Sequence, residues 1–396
     1  MKILLVLEAT LGGTGRHILD LSQGLLDRGH EVHLVYSTLR ADERFLAGLR
    51  CLRAARPELR VYCLPIAHEL SFSDVRSYWK LARYLRRRGP FDIIHSHSTK
   101  AGFLARLPAR RRGAHSVYTP HGLMTLNPEL VRTRRRAACW LESMLARWSD
   151  AIITISENER RCAIDTGIDP EKLKVIPNGV DPLPNQEQLR QQIRGKHGLP
   201  PATFHIGWVG RLVPYKCPDR MIESLALLRL RCRRPIHLVM IGAGPLEGAL
   251  RKQAKHLGID SAISFLGTVD GPLHMAALDV LAHTSLFEGF SYVFLEAMSA
   301  GVPVVATRVG GTDEMIEHSI TGYVCDPWDA NTFAALLERV ADDLDQRGAM
   351  AQAARQRAAR FSATAMIDCT EQLYASLCAK PDPLSRRSLQ LSRTPE

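Results

Sequence analysis

Short apolar runs alternate with stretches of helical spacing along most of this chain. The segments KILLVLE, EVHLVYS, FDIIHSHS, HSVYTPHG and DAIITISE read as strands of the first half. FHIGWVGRL, IHLVMIGAG, SAISFLGTV, DVLAHTS and VPVVATRVGG repeat the scheme in the second. Between them the apolar positions fall at helical intervals: Ile18, Leu21, Leu25 and Leu26 share one face, and Gly29 supplies the stop. Nearly continuous apolar strands joined by helices predict parallel sheets buried on both faces. The two series are separated by VIPNGVDPLPNQ, a proline- and asparagine-rich stretch read as a linker near 177–186. The pattern therefore predicts an α/β protein of two doubly wound, Rossmann-like domains. A length of 396 residues agrees, being long for one core.

Composition narrows the class. No apolar run approaches the roughly 18–20 residues of a membrane span, and the N-terminal ILLVL is broken by Glu8, too soon for a signal peptide. Nine cysteines lie scattered without a CxxC pair or zinc spacing, which predicts free thiols in a reducing cytoplasm. The net charge of +11 is all in the first half: residues 1–180 carry 29 Lys and Arg against 18 Asp and Glu, while residues 181–396 carry 23 of each. Arg86–Arg88, Arg110–Arg112 and Arg134–Arg136 are the densest clusters. Such a face suits an anionic membrane surface or a phosphorylated substrate, or is simply a solvated helix surface. Without a helix-turn-helix, an RNA-binding sheet signature or interleaved aromatics, nucleic acid is not an expected partner.

Two glycine loops invite a dinucleotide reading and fail it. A GxGxxG fingerprint from Gly13 needs a small residue where Ile18 stands, and one from Gly242 needs it where Glu247 stands. The first loop still sets backbone N–H groups at a helix start, suited to an anionic group.

The richest segment is SLFEGFSYVFLEAMSAGVPVVATRVGG, residues 285–311, in which Glu288 and Glu296 are separated by seven residues. Gly289, Phe290, Ser291, Tyr292 and Val293 between them read as a turn entering a helix, whose first N–H groups point at a bound diphosphate. Carboxylates suit sugar recognition because each oxygen accepts from neighbouring hydroxyls. Upstream, Arg211 and Lys216 follow a strand that ends in glycine, five residues apart, and can converge on one diphosphate without a metal.

With these motifs, GG…H…L (12–21), RGHEV, HSHSTKAG (95–102), TPHG (119–122), IPNGVD, GRLVPYK (210–216), IGAGP, FLG and E-x7-E occur in order. So ordered, they resemble the GT-B glycosyltransferases of the large retaining family 4 over residues 1–378. The resemblance implies two domains facing across a cleft: an acceptor-side domain (1–180), a nucleotide-sugar domain (181–361), and a helix (362–379) crossing back to the first. The tail 380–396 lacks a packing pattern and is expected to be disordered. Arg211 and Lys216 would hold the donor diphosphate, with Gly289 to Val293 lining it. Glu296 would hold the ribose and Glu288 the hydroxyls of the transferred sugar, and His121 would face the reacting sugar. Gly13 and Gly12 would bring backbone to the diphosphate or the acceptor, and His17, His97 and Lys100 are acceptor-side candidates.

The reaction implied by that resemblance is transfer of a sugar, with retention, to a hydroxyl of a glycan or lipid-linked acceptor in bacterial surface polysaccharide synthesis. UDP is the expected carrier, with GDP and ADP as alternatives; no cofactor or metal is expected. An enzyme acting on a soluble acceptor, a sugar-nucleotide epimerase and a non-catalytic nucleotide-sugar-binding partner are the competing readings. Asp343-Leu-Asp345 has the form of a metal-binding DxD but lies in an alanine-rich helical run. The stretch 120–150 starts basic and sets Trp140, Leu141, Met144, Leu145 and Trp148 at helical spacing. It is either an interfacial helix for peripheral attachment to the cytoplasmic face of an anionic inner membrane, or a helix packed on its own sheet.

Overall fold

The structure is a computed structural model and describes residues 1–10, 12–66, 73–123, 130–326 and 328–379. The tail 380–396 and part of the 120–150 stretch lie outside them. The described residues form two compact units, one within 1–177 together with 364–379 and one within 178–363.

Among the described residues the first unit holds seven parallel strands: β1 (Lys2–Leu7), β2 (Glu31–Ser37), β3 (Arg60–Leu64), β4 (Ile93–His97), β5 (His115–Thr119), β6 (Ala151–Thr154) and β7 (Leu173–Val175). Their spatial order is β3-β2-β1-β4-β5-β6-β7. The second unit holds β8 (Phe204–Val209), β9 (Ile236–Ile241), β10 (Ile263–Gly267), β11 (Val280–His283), β12 (Val304–Thr307) and β13 (Gly322–Cys325), in the order β10-β9-β8-β11-β12-β13. Each sheet starts in its middle, runs to one edge, then returns and runs to the other. In both, the strand order therefore reverses beside the first strand, between β1 and β4 and between β8 and β11, where the crevice at the carboxyl ends of the strands takes ligands in such folds.

The central strands are buried along their whole length: β4, β8 and β9 have no exposed residue. Burying each such Leu, Ile or Val contributes about 1.5–3 kcal/mol. The helix Ala363–Cys378 belongs to the first core, where Met366, Ile367, Tyr374 and Leu377 pack with Ile18, Leu25 and Ile93. Gly24 makes room for it, since a Cβ there would meet Ile367 Cδ1 at 2.4 Å. Arg28 pairs with Asp368, and His30 Nε2 lies 2.6 Å from Glu371. Three strands escape the apolar pattern of the sequence, β3, β7 and β13, and all three are sheet edges. Asp343 lies between two helices, not inside one: its carboxylate caps Leu344–Ala358 by accepting from Gln346 N at 2.8 Å.

Candidate active site

In the second unit the sequence candidates converge on the β8/β11 switch point. The loops leaving these strands are knitted together. Leu286 N donates to Tyr215 O (2.9 Å), Thr284 Oγ1 to Cys217 O (2.7 Å), and Trp208 Nε1 to Thr284 Oγ1 (3.1 Å). Cys217, a non-glycine residue at φ 46°, turns the chain directly after Lys216. A held left-handed residue of this kind marks a backbone over-determined by its surroundings.

Lys216 pairs with Glu288, a contact the linear motifs do not announce. Ser285 Oγ donates to the same carboxylate oxygen at 3.0 Å, and His283 Nε2 lies 3.1 Å from it. Burial alone would push the Glu288 carboxyl up, but the Lys216 ammonium and the His283 ring outweigh burial and hold it well below the usual carboxylate range. His283 is itself pushed down by burial. Arg211 is exposed, and its guanidinium donates to Tyr215 Oη at 2.5 Å. Among the described residues no ion pair claims it, so its charge is available to an anion.

The helix Tyr292–Ser299 begins four residues beyond Glu288, and its N-cap Ser291 makes no side-chain capping bond. Helix starts lacking a cap present N–H groups to an anion. Phe290, Ser291 and Tyr292 are buried, whereas Val293 and Glu296, three residues apart on one face, are partly exposed. Asn178 fixes the turn by donating from Nδ2 to Phe290 O at 3.0 Å. Gly289 O lies where a Cβ on Gly311 would meet it at 2.8 Å.

The second glycine loop braces the first element of this site. Gly210 N donates to Ile241 O (2.9 Å), Leu212 N to Ala243 O (3.1 Å) and Leu246 N to Leu212 O (3.1 Å). A Cβ on Gly242, whose φ is +131°, would fall 1.9 Å from Gly210 O.

In the first unit the other candidates gather at the β1/β4 switch point. Gly12 (φ 67°) precedes the helix Gly13–Asp27, and a Cβ on Gly15 would strike Thr10 O at 2.3 Å, so this glycine sets the approach of helix to strand. His17 on that helix, His97 at the end of β4 and His121 after β5 stand together. Ring centroids are 4.6 Å apart for His17–His121, and His97 Nδ1 lies 3.0 Å from His121 Nε2. Burial, then the neighbouring imidazoles, lower the pKa of His97 and of His121 far below the ordinary value. His95 behind them is lowered in the same way, and contacts Tyr374 Oη (2.5 Å) and Thr119 Oγ1 (2.8 Å). Lys100 is buried and pairs with Asp74 at 2.9 Å. Glu8 pairs with Arg40 and accepts from Ser98 Oγ at 3.1 Å.

His121 (φ 57°) and Gly122 (φ 105°) form a left-handed elbow. A residue that no motif marked holds it in place. Glu159 accepts from Gly122 N (2.7 Å) and Leu123 N (2.9 Å) with one oxygen and from Ile155 N (2.8 Å) with the other. The only sequence signal was the Ser156-x-x-Glu159 pattern of a helix start, where Glu159 N donates to Ser156 Oγ at 3.0 Å. Full burial raises the Glu159 carboxyl to about 7, against the lowering effect of those three N–H donors.

Two parallel-sheet units with charged side chains at one switch point define the GT-B architecture. Residues 11–182 match Glycosyltransferase Family 4 and residues 190–357 match Glycosyl transferases group 1. The D-inositol 3-phosphate glycosyltransferase of Stackebrandtia nassauensis is 30% identical over 327 residues, covering 78% of this chain and 72% of that protein. The UDP-Gal:alpha-D-GlcNAc-diphosphoundecaprenol alpha-1,3-galactosyltransferase of Escherichia coli is 30% identical over 284 residues, 68% and 71% of the two chains. Among solved structures, Anabaena HepE in complex with UDP-glucose superposes with a TM-score of 0.79 at 24% identity, covering 95% of this chain and all of that one. The lipopolysaccharide glycosyltransferase WaaG gives 0.72 at 20% identity, with 94% and 99% covered. The chain belongs to glycosyltransferase family 4, and is a glycosyltransferase that uses a nucleotide-sugar donor.

Proposed function

We propose that the enzyme moves a sugar from a UDP-sugar to a hydroxyl of a glycan or lipid-linked acceptor, with retention, in surface polysaccharide synthesis. The observation that carries the donor half is the Lys216–Glu288–His283 network beside the uncapped helix start at Ser291. Arg211 and Lys216 neutralise the leaving diphosphate, so that no metal is needed there. The N–H groups of Gly289 to Val293 line the phosphates, Glu296 takes the ribose, and Glu288, held ionised, accepts from sugar hydroxyls. The bond from the anomeric carbon to the diphosphate oxygen breaks. The bond to the acceptor oxygen forms on the same face, and the acceptor proton passes to the departing phosphate. His121 acts on the reacting sugar; Gly12, His17, His97 and Lys100 belong to the acceptor side.

Peripheral attachment to the cytoplasmic face of an anionic membrane goes with a lipid-linked acceptor. No helix of the described residues is long and apolar enough to cross a membrane. In the stretch at 120–150, Leu145 is in the core while Trp140 is 67% exposed. Trp79, 66% exposed, lies on the helix Ser73–Arg88 with Arg76, Lys80 and Arg83. Indoles set among arginines suit an interfacial layer. A soluble phosphorylated acceptor is the second reading, favoured by the D-inositol 3-phosphate relative.

The test is thermal stability with UDP, GDP and ADP for wild type and Glu296→Ala, followed by turnover. UDP at about 100 times its dissociation constant adds roughly 2.7 kcal/mol to wild type alone. Stabilisation by GDP or ADP instead changes the donor. Turnover of a polyprenyl-diphosphate sugar, compared with inositol phosphate, chooses the acceptor, and the proton coupling at the product's anomeric carbon decides retention.

A further inference from the structure

The histidines of the first unit carry an arrangement that goes beyond the roles proposed for them in sugar transfer. His17, His97 and His121 come from three different elements, the helix after β1, the end of β4 and the elbow after β5. Each offers one ring nitrogen within 4.8 Å of the others. His17 and His97 are buried and His121 is half-buried, so the group is reachable from one side.

We propose that His17, His97 and His121 form a binding site for a divalent transition-metal ion of the Zn2+ class, and that filling it stops sugar transfer by engaging His121. Three imidazole nitrogens and no carboxylate select Zn2+, Co2+, Ni2+ or Cu2+ over Mg2+, Mn2+ or Ca2+. Bonds of about 2.0–2.1 Å set tetrahedral ligands roughly 3.3 Å apart, and the His97–His121 nitrogen pair stands at 3.0 Å. Closure therefore asks mainly for His17 to turn inward. Three protein ligands leave a fourth position for water. Glu159, which fixes the elbow, holds the His121 backbone in place as the site closes. The metal half of the proposal is independent of the transferase chemistry; the inhibition half rests on the role proposed for His121.

The experiment uses the full chain with the exposed thiols Cys51, Cys63, Cys369 and Cys378 changed to Ser, so that surface sulfur does not compete. Titration with Co2+ is followed by its ligand-field absorption. One ion binds per chain, Zn2+ displaces it, and Mg2+ does not. His97→Gln and His17→Gln each weaken binding at least about tenfold while keeping the wild-type near-ultraviolet circular dichroism. Saturating Zn2+ raises the thermal midpoint by about 5–10 °C, and X-ray absorption at the zinc edge shows three imidazoles. That last measurement needs no variant and stands if the substitutions fail to fold. Sulfur or carboxylate scattering in place of imidazole, absence of saturable Co2+ binding, or binding unchanged in both variants overturns the site. Turnover that persists with the ion bound overturns the inhibition alone.

Discussion

The two switch points share one topology and opposite electrostatics. At β8/β11 the side chains are ions: Lys216 locked to Glu288, Arg211 exposed, and Glu296 on the helix just beyond. At β1/β4 they are imidazoles that burial keeps uncharged, with the nearby ions Glu8–Arg40 and Lys100–Asp74 closed off in pairs. A crevice at the carboxyl ends of parallel strands is thus a place and not a chemistry. Its ligand is set by whether its residues arrive with charge to spare. A diphosphate needs the first kind, and a hydroxyl that must lose a proton in a dry setting is better served by the second.

Removing the cation is the hardest blow to the charged side. Lys216→Ala leaves Glu288 largely buried without its counter-charge, and turnover falls about 10³-fold. The double variant Lys216→Ala/Glu288→Gln tests the division of labour. Urea unfolding recovers most of the lost stability because no buried charge remains, while turnover does not return. Recovery of turnover would place the charge that matters elsewhere. Next in size is Gly242→Ala, whose Cβ would overlap Gly210 O in a backbone region closed to L residues. It destabilises the second unit by about 2–4 kcal/mol and loosens the Arg211 loop. UDP stabilisation is lost, while Co2+ titration of the first unit is unchanged. A change there would break the separation drawn between the two switch points.

Most of the sheet framework was legible because a strand covered on both faces is apolar throughout. β3 has two exposed and two half-buried residues before its buried Leu64, and β7 has only three residues. The donor candidates were legible because each is a contiguous loop at a strand end. Their wiring was not. Which cation meets Glu288 depends on two loops 72 positions apart, and His95 finds Tyr374 across 279. Glu159 was hidden for the same reason: the elbow it holds is remote in sequence, and its own signal is that of an ordinary helix start.

Glu159→Gln tests the uncharged side, with the smallest effect of the three. An ionised carboxylate meets all three N–H donors, whereas an amide offers one acceptor oxygen and turns a donor toward the third. The elbow loosens and kcat falls about tenfold with KM for the donor little changed, because all donor candidates but Gly13 lie in the other unit. Protonation of wild-type Glu159 does similar damage, so activity rises with pH through about 7, and the variant lacks that limb. Stability runs the other way. A carboxyl raised to about 7 in the folded state binds its proton more tightly there than in the unfolded chain. Its stabilising contribution is full below about 4.5 and is lost, by up to roughly 3 kcal/mol, as pH climbs through 7. His95, His97 and His121, whose pKa values are depressed, push in the opposite sense by favouring the folded state as pH rises toward 6.5. Those histidine contributions are common to wild type and variant, and cancel in the difference between their urea-unfolding curves measured from pH 5 to 8. That difference should fall with pH while the activity ratio of wild type to variant rises. Parallel slopes would mean that Glu159 is only a buried acid, and that something else holds the elbow beneath His121.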